Sequence, residues 1–270
     1  MRVYQRYLPV TLVALFLAAV LLLPASTAWA TRYQMTQSFP AKDVVRLTTH
    51  EGDCVVKNGA VDQIEVTVHY RPTPGETFEP ELVENGQALE LSEVIAEKYT
   101  GGSTWTVLVP EGTRVEFHSK GGDFRAEHME GVVSVETSGD VELNDCRGGF
   151  DVHTTKGKVK AQKIVVASKS EFSSETGEVE VRLANSPGGD LRVASIKSNV
   201  TLDFDGRSVE GRVEFVARSH GGRIKSPYEF DREEEFTEDR VSYERKSFTR
   251  KLDNPKIAIA TGSGIAELKR

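Results

Sequence analysis

Asp123, Asp140 and Glu178 stand at equivalent places in a recurring small-polar-apolar motif. A column of carboxylates is what a glycoside hydrolase needs: one acid protonates the leaving oxygen while a second acts as base or nucleophile. The same column holds Lys158 between Asp140 and Glu178, then Asn199 and Arg223. Neighbouring strands lie about 4.8 Å apart, so mixed signs on adjacent levels are expected to form surface ion pairs worth about 0–1 kcal/mol each. This expectation argues against catalysis in the column. It also argues against a calcium-binding repeat, which needs an unbroken run of oxygen ligands.

The other reactive residues are sparse. His50, His118, His153 and His220 fall just before motif glycines, while His69 and His128 lie elsewhere. A metal site would need two or three of them converging at about 2 Å from one ion, and solvated corner histidines are the expectation. Cys54 and Cys146 can form at most one intramolecular disulfide. An oxidising compartment would permit it, and a buried free thiol is the alternative. Trp105 alternates with Val107 and reads as core packing rather than a sugar-stacking platform. Nucleophile-elbow, phosphate-loop, zinc-protease and Cys-x-x-Cys motifs are missing from the sequence. No catalytic, cofactor-binding or metal-ligating residue is therefore assigned.

The elements that would carry these residues are set by a repeat. Gly52-Asp53-Cys54, Gly122-Asp123-Phe124, Gly139-Asp140-Val141, Gly157-Lys158-Val159, Gly177-Glu178-Val179, Ser198-Asn199-Val200 and Gly222-Arg223-Ile224 share one pattern, and Ser263-Gly264-Ile265 closes the series. Alternation continues after each apolar residue, as in Val141-Glu142-Leu143, and a second alternating segment precedes each corner, as in Val133/Val135. Period 2 specifies strands with one buried face. From Phe124 to Ile224 the equivalent positions are 17, 18, 20, 21 and 24 residues apart. So variable a step fits a solenoid with elastic corners better than a propeller, whose blades need about 40 residues. The fold class expected is an all-β solenoid whose inward column is Cys54, Phe124, Val141, Val159, Val179, Val200, Ile224 and Ile265, with a β-sandwich as the alternative.

Residues 31–117 follow the rule less regularly and are expected to form a β-rich region capping one end of a stack built from residues 118–270. A charged insertion interrupts that stack at 228–253. Asp231 to Asp239 carries six acidic residues and Arg232, whereas Arg240 to Lys251 carries five basic residues and Glu244. Such blocks would pair as the arms of a hairpin or bind a charged partner.

The first 30 residues read as a secretory leader: Arg2 and Arg6, an apolar run from Val10 to Leu23, Pro24, and the Ala28-Trp29-Ala30 cleavage pattern. Cleavage would leave no segment apolar enough to span a membrane as a helix. The chain has 38% apolar residues and a formal net charge of -7, so a polytopic membrane protein is excluded. An acidic surface repels phosphate backbones, which argues against nucleic-acid binding.

The Val-Pro-x-Gly-Thr-x-Val-x-Phe segment (Val109 to Phe117), the Ser/Thr-x-Gly-Asp repeats and the terminal run from Ile257 to Ile265 resemble the exported bacterial "putative adhesin" β-strand-repeat family. The resemblance spans roughly residues 38 to 270. It implies a right-handed β-solenoid outside the cytoplasm, periplasmic or at the cell surface, and leaves the ligand open. Lys158 and Arg223 depart from it, since an acidic residue is commoner there.

These readings lead to a non-enzymatic exported solenoid offering a surface for adhesion, scaffolding or partner binding, its partner an envelope protein or polysaccharide. Recognition is expected from exposed strand residues and the Tyr228 to Lys251 loop. A carbohydrate-active envelope enzyme is the second hypothesis, requiring a groove that gathers carboxylates and aromatic platforms. An envelope-stress or signalling accessory is the third.

Overall fold

Strands buried on one face only must stack to close a core, and the two-strand repeat makes that core continuous along an axis. A computed structural model of the chain describes residues 33–60, 62–71, 78–95 and 102–270. The expected leader lies outside them. Among the described residues every regular element is a strand. The first are β1 (Tyr33–Pro40), β2 (Val44–Thr49), β3 (Asp53–Asn58), β4 (Gln63–Tyr70), β5 (Phe78–Asn85), β6 (Ala88–Ile95) and β7 (Ser103–Val109). Next come β8 (Arg114–Ser119), β9 (Phe124–Glu127), β10 (Glu130–Thr137), β11 (Val141–Asn144), β12 (Arg147–Thr154), β13 (Val159–Val166), β14 (Ser170–Ser174), β15 (Val179–Leu183), β16 (Leu191–Ser195) and β17 (Val200–Asp203). The last are β18 (Gly211–Arg218), β19 (Gly222–Lys225), β20 (Arg232–Glu238), β21 (Val241–Arg250), β22 (Lys256–Thr261) and β23 (Gly264–Lys269).

Each coil gives one strand to sheet A and one to sheet B, and successive coils pair in parallel. Along sheet B the order is β6, β2, β8, β10, β12, β14, β16, β22, β18. Sheet A runs β7, β3, β9, β11, β13, β15, β17, β23, β19. The fold is thus a β-solenoid, with chain order broken at both ends. Coil β2/β3 lies between β6/β7 and β8/β9, and coil β22/β23 lies between β16/β17 and β18/β19. Residues 44–58 are therefore a coil of the stack itself, and the boundary expected after residue 117 falls inside β8. Antiparallel strands finish the edges: β4 and β1 beyond β7, β5 beyond β6, and β21 and β20 beyond β18.

The core is the set of facing inward columns. In sheet A, Cys54, Phe124, Val141, Val159, Val179 and Val200 align in register, followed by Ala266 and Ile224. Ile265 does not hold the inward place expected for it. Gly264, not Ser263, occupies the small corner position opposite Gly222, so Ile265 takes the polar place and Ala266 points inward, fully buried. In sheet B the matching row is Phe117, Val135, Val152, Phe172, Val193, Ile259 and Phe215. Beyond β18/β19, Tyr228 and Phe230 pack on Phe248, with ring centroids 5.2 and 6.3 Å apart, and help close that end of the core.

Candidate functional site

The corner column is a set of clips between coils. Asp53 Oδ1 accepts from the Asp123 amide at 2.9 Å, Asp123 Oδ1 from the Asp140 amide at 2.7 Å, and Asp140 Oδ1 from the Lys158 amide at 2.8 Å. Asn199 Oδ1 likewise accepts from the Ile265 amide at 3.0 Å. The ion pairs expected between these acids and Lys158 or Arg223 are not formed among the described residues. The reason is geometric: a short acidic side chain at a corner reaches the next amide before it reaches a neighbouring cation. Glu178, one methylene longer, makes no such clip. Replacing Asp140 by Ala should cost about 1 kcal/mol and lower Tm by about 2–4 °C, whereas Asn, which keeps the acceptor, should be nearly neutral. Thermal melts of both variants test this, and equal losses would mean that charge rather than the acceptor matters.

Behind the acids runs a ladder of buried hydroxyls that accounts for the Ser/Thr before each corner glycine. Thr154 Oγ1 donates to the Gly139 carbonyl at 2.8 Å and accepts from the Gly157 amide at 3.1 Å. Ser174 repeats this between the Gly157 carbonyl at 2.9 Å and the Gly177 amide at 2.8 Å.

The remaining sequence candidates do not converge. His118 Nδ1 lies 3.4 Å from Glu136 and His128 Nδ1 lies 3.1 Å from Asp145, and no group of three metal-capable side chains forms among the described residues. Cys54 and Cys146 are both buried and free, and burial pushes both thiols above their ordinary range. Trp105 is fully buried, its Nε1 donating to Glu93 Oε1 at 3.1 Å.

The charged insertion is the hairpin β20–β21, and its acidic and basic blocks pair as its two arms. Arg245 Nη1 meets Glu234 Oε1 at 2.8 Å, and Lys246 Nζ meets Glu233 at 2.9 Å and Glu244 at 2.8 Å. Hydrogen bonding to Arg245 holds the Glu234 carboxyl below the usual carboxylate range, and the bonds to Glu244 and Glu233 raise the Lys246 ammonium. On one face Phe236 and Tyr243 stack with centroids 5.4 Å apart and planes at 20°, and the Arg245 guanidinium lies 4.4 Å from the Phe236 centroid.

This aromatic pair walls a groove of about 470 Å³ on the outer face of sheet B. Its floor is a row of adjacent positions, His153, Ser173, Ala194, Ala260 and Val216, on β12, β14, β16, β22 and β18. Small side chains leave the depth. Glu171, paired with Arg192 at 3.1 Å, Glu175, Glu238 and the exposed Ile196 also line it. Sequence reasoning picked out the insertion but not the floor. The only available signal was Ser173, Ala194 and Ala260 standing small at outward positions where other strands carry charge.

A two-sheet β-solenoid with coils inserted at both ends and a hairpin-walled groove defines the class of molecule. The family model described as Toastrack DUF4097 matches residues 42–225, and the chain belongs to that family. Among solved structures, a putative cell adhesion protein from Clostridium sporogenes ATCC 15579 is similar at 10% identity and TM-score 0.38, covering 88% of this chain and 99% of that one. A putative adhesin from Bacteroides fragilis NCTC 9343 is similar at 10% identity and TM-score 0.39, covering 89% and 98%. No curated protein matches the sequence.

Proposed function

We propose that this chain is an exported, non-enzymatic, adhesin-like solenoid that engages an envelope partner through the groove beneath β20–β21. The groove carries this reading. It joins small outward side chains from three sheet strands to an aromatic wall on a hairpin braced by ion pairs, giving a concave surface on the sheet. Of the corner acids that a glycoside hydrolase would have used, Asp123 and Asp140 accept backbone amides instead. The leader-like segment at residues 1–30 supports export, and no helix among the described residues is long and apolar enough to cross a membrane.

Co-sedimentation of the leader-less chain with washed cell-envelope fractions tests the proposal. Ala194→Trp fills the groove from an outward-facing position and should reduce binding about tenfold or more while leaving the β-sheet circular dichroism unchanged. Equal binding by a folded Ala194→Trp variant would remove the groove as the recognition surface.

A further inference from the structure

The groove is charged as well as concave. Of its carboxylates, Glu171 is taken by Arg192, but the side chains of Glu175 and Glu238 make no ion pair or hydrogen bond among the described residues. Both are exposed. Glu175 stands just after β14 and Glu238 at the end of β20, on the hairpin that carries the Phe236–Tyr243 pair. Arg192, the one lysine or arginine of the lining, is neutralised by Glu171, which leaves the groove net negative with His153 neutral. A phosphate, a sulfated glycan or an acidic peptide would meet two unpaired carboxylates there. A cationic ligand would find two unpaired counter-charges in a groove whose wall is aromatic.

The floor also has a length. From His153 to Val216 it crosses five adjacent strands, a span of about 19 Å at about 4.8 Å per step. An extended peptide of about six residues covers that distance at about 3.3 Å per residue. Ile196 at the rim, 59% exposed, offers an apolar contact that a polypeptide side chain can use. We infer that the groove's partner is an extended basic segment of a protein, with lysine or arginine side chains directed at Glu175 and Glu238. This inference rests on the groove being the binding surface.

The probe is a fluorescently labelled hexapeptide of alternating lysine and glycine, titrated by anisotropy into the leader-less chain. Its glutamate-glycine counterpart and a glucosamine hexamer serve as competing arms. The lysine peptide should bind, the glutamate peptide should not, and affinity should fall as salt rises from 50 to 200 mM in the probe buffer. Glu175→Gln and Glu238→Gln keep side-chain shape at exposed sites, so folding should be retained. Each should weaken binding about threefold to fivefold, and together about tenfold or more. Equal binding of both peptides, indifference to the double substitution, or preference for the glucosamine hexamer would each overturn the assignment. Envelope binding distinguishes the two levels. If Ala194→Trp abolishes it while the lysine peptide fails to bind, the groove stands and its basic-peptide partner falls. If Ala194→Trp leaves it intact, both fall.

Discussion

Removal of residues 256–270 is expected to abolish the cooperative thermal transition and to drive the chain into oligomers. In a simple linear stack, losing the last coil would only shorten the molecule. Here the last coil in the chain is not last in the stack. β22 is paired on one side with β16 from Leu191 to Ser195 and on the other with β18 from Arg212 to Ala217, and β23 lies likewise between β17 and β19. Its removal leaves four strand edges open at once, two on each sheet, and detaches the β18–β21 end from the rest. Ile257, Ile259 and Leu268 are buried to 3% exposure or less, and at about 1.5–3 kcal/mol each they account for about 5–9 kcal/mol of apolar transfer. A whole domain is typically stable by about 5–15 kcal/mol, so the remainder would not hold. Exposed parallel edges then pair between molecules. Circular dichroism melts and size-exclusion chromatography give the readout. A monomeric truncated chain melting within a few degrees of the full one would contradict the inserted-coil topology. A synthetic peptide of residues 256–270, added during refolding, should restore part of the transition by re-entering between β16 and β18.

That insertion was not legible in the sequence, whereas the coils themselves were. Val141, Val159, Val179 and Val200 could be placed in one inward column because each follows a small corner residue, Gly139, Gly157, Gly177 or Ser198, by the same two positions, and period 2 fixes which face is buried. Alternation says nothing about which strand lies beside which. Val44 to Asn58 reads like any other pair of strands, and only the completed packing puts it between β6/β7 and β8/β9. The misplacement of Ile265 has a related origin. Ser263 and Gly264 are both small, so the pattern fits in two frames, and the buried row selects the one with Ala266 inward. For the site, the opposed charge blocks of Asp231–Asp239 and Arg240–Lys251 announced a hairpin. The groove depends on Ser173, Ala194 and Ala260 becoming neighbours across strands up to 87 residues apart in the chain. A local reading cannot see that adjacency.

The same close stacking predicts that Gly157→Ala will be among the most damaging single substitutions in the molecule, at about 3 kcal/mol or more and a loss of about 10 °C in Tm. A Cβ on Gly157 would overlap the carbonyl oxygen of Gly139 one coil below, and Gly177 stands in the same relation to Gly157. The overlap is with backbone rather than with the end of a flexible side chain, so relief requires the coils to move apart. Three restraints oppose that movement: Thr154 Oγ1 donating to the Gly139 carbonyl, the Asp140 carboxylate accepting the Lys158 amide, and the Val141–Val159 register in sheet A. Opening the gap would break the first two and leave the partly buried Gly139 carbonyl without its hydroxyl partner, at about 1–3 kcal/mol. Gly102 is the control, because a Cβ there meets nothing within 4 Å, and Gly102→Ala should change stability by less than about 0.5 kcal/mol. Urea titrations of both variants decide the point. A Gly157→Ala chain as stable as Gly102→Ala would mean that the coils stack less tightly at this corner than the hydroxyl ladder requires. If the loss is as large as expected, the glycine that reads in the sequence as a turn residue is conserving a contact distance between coils, and the Ser/Thr and Asp on either side of it are the hydrogen bonds that hold that distance.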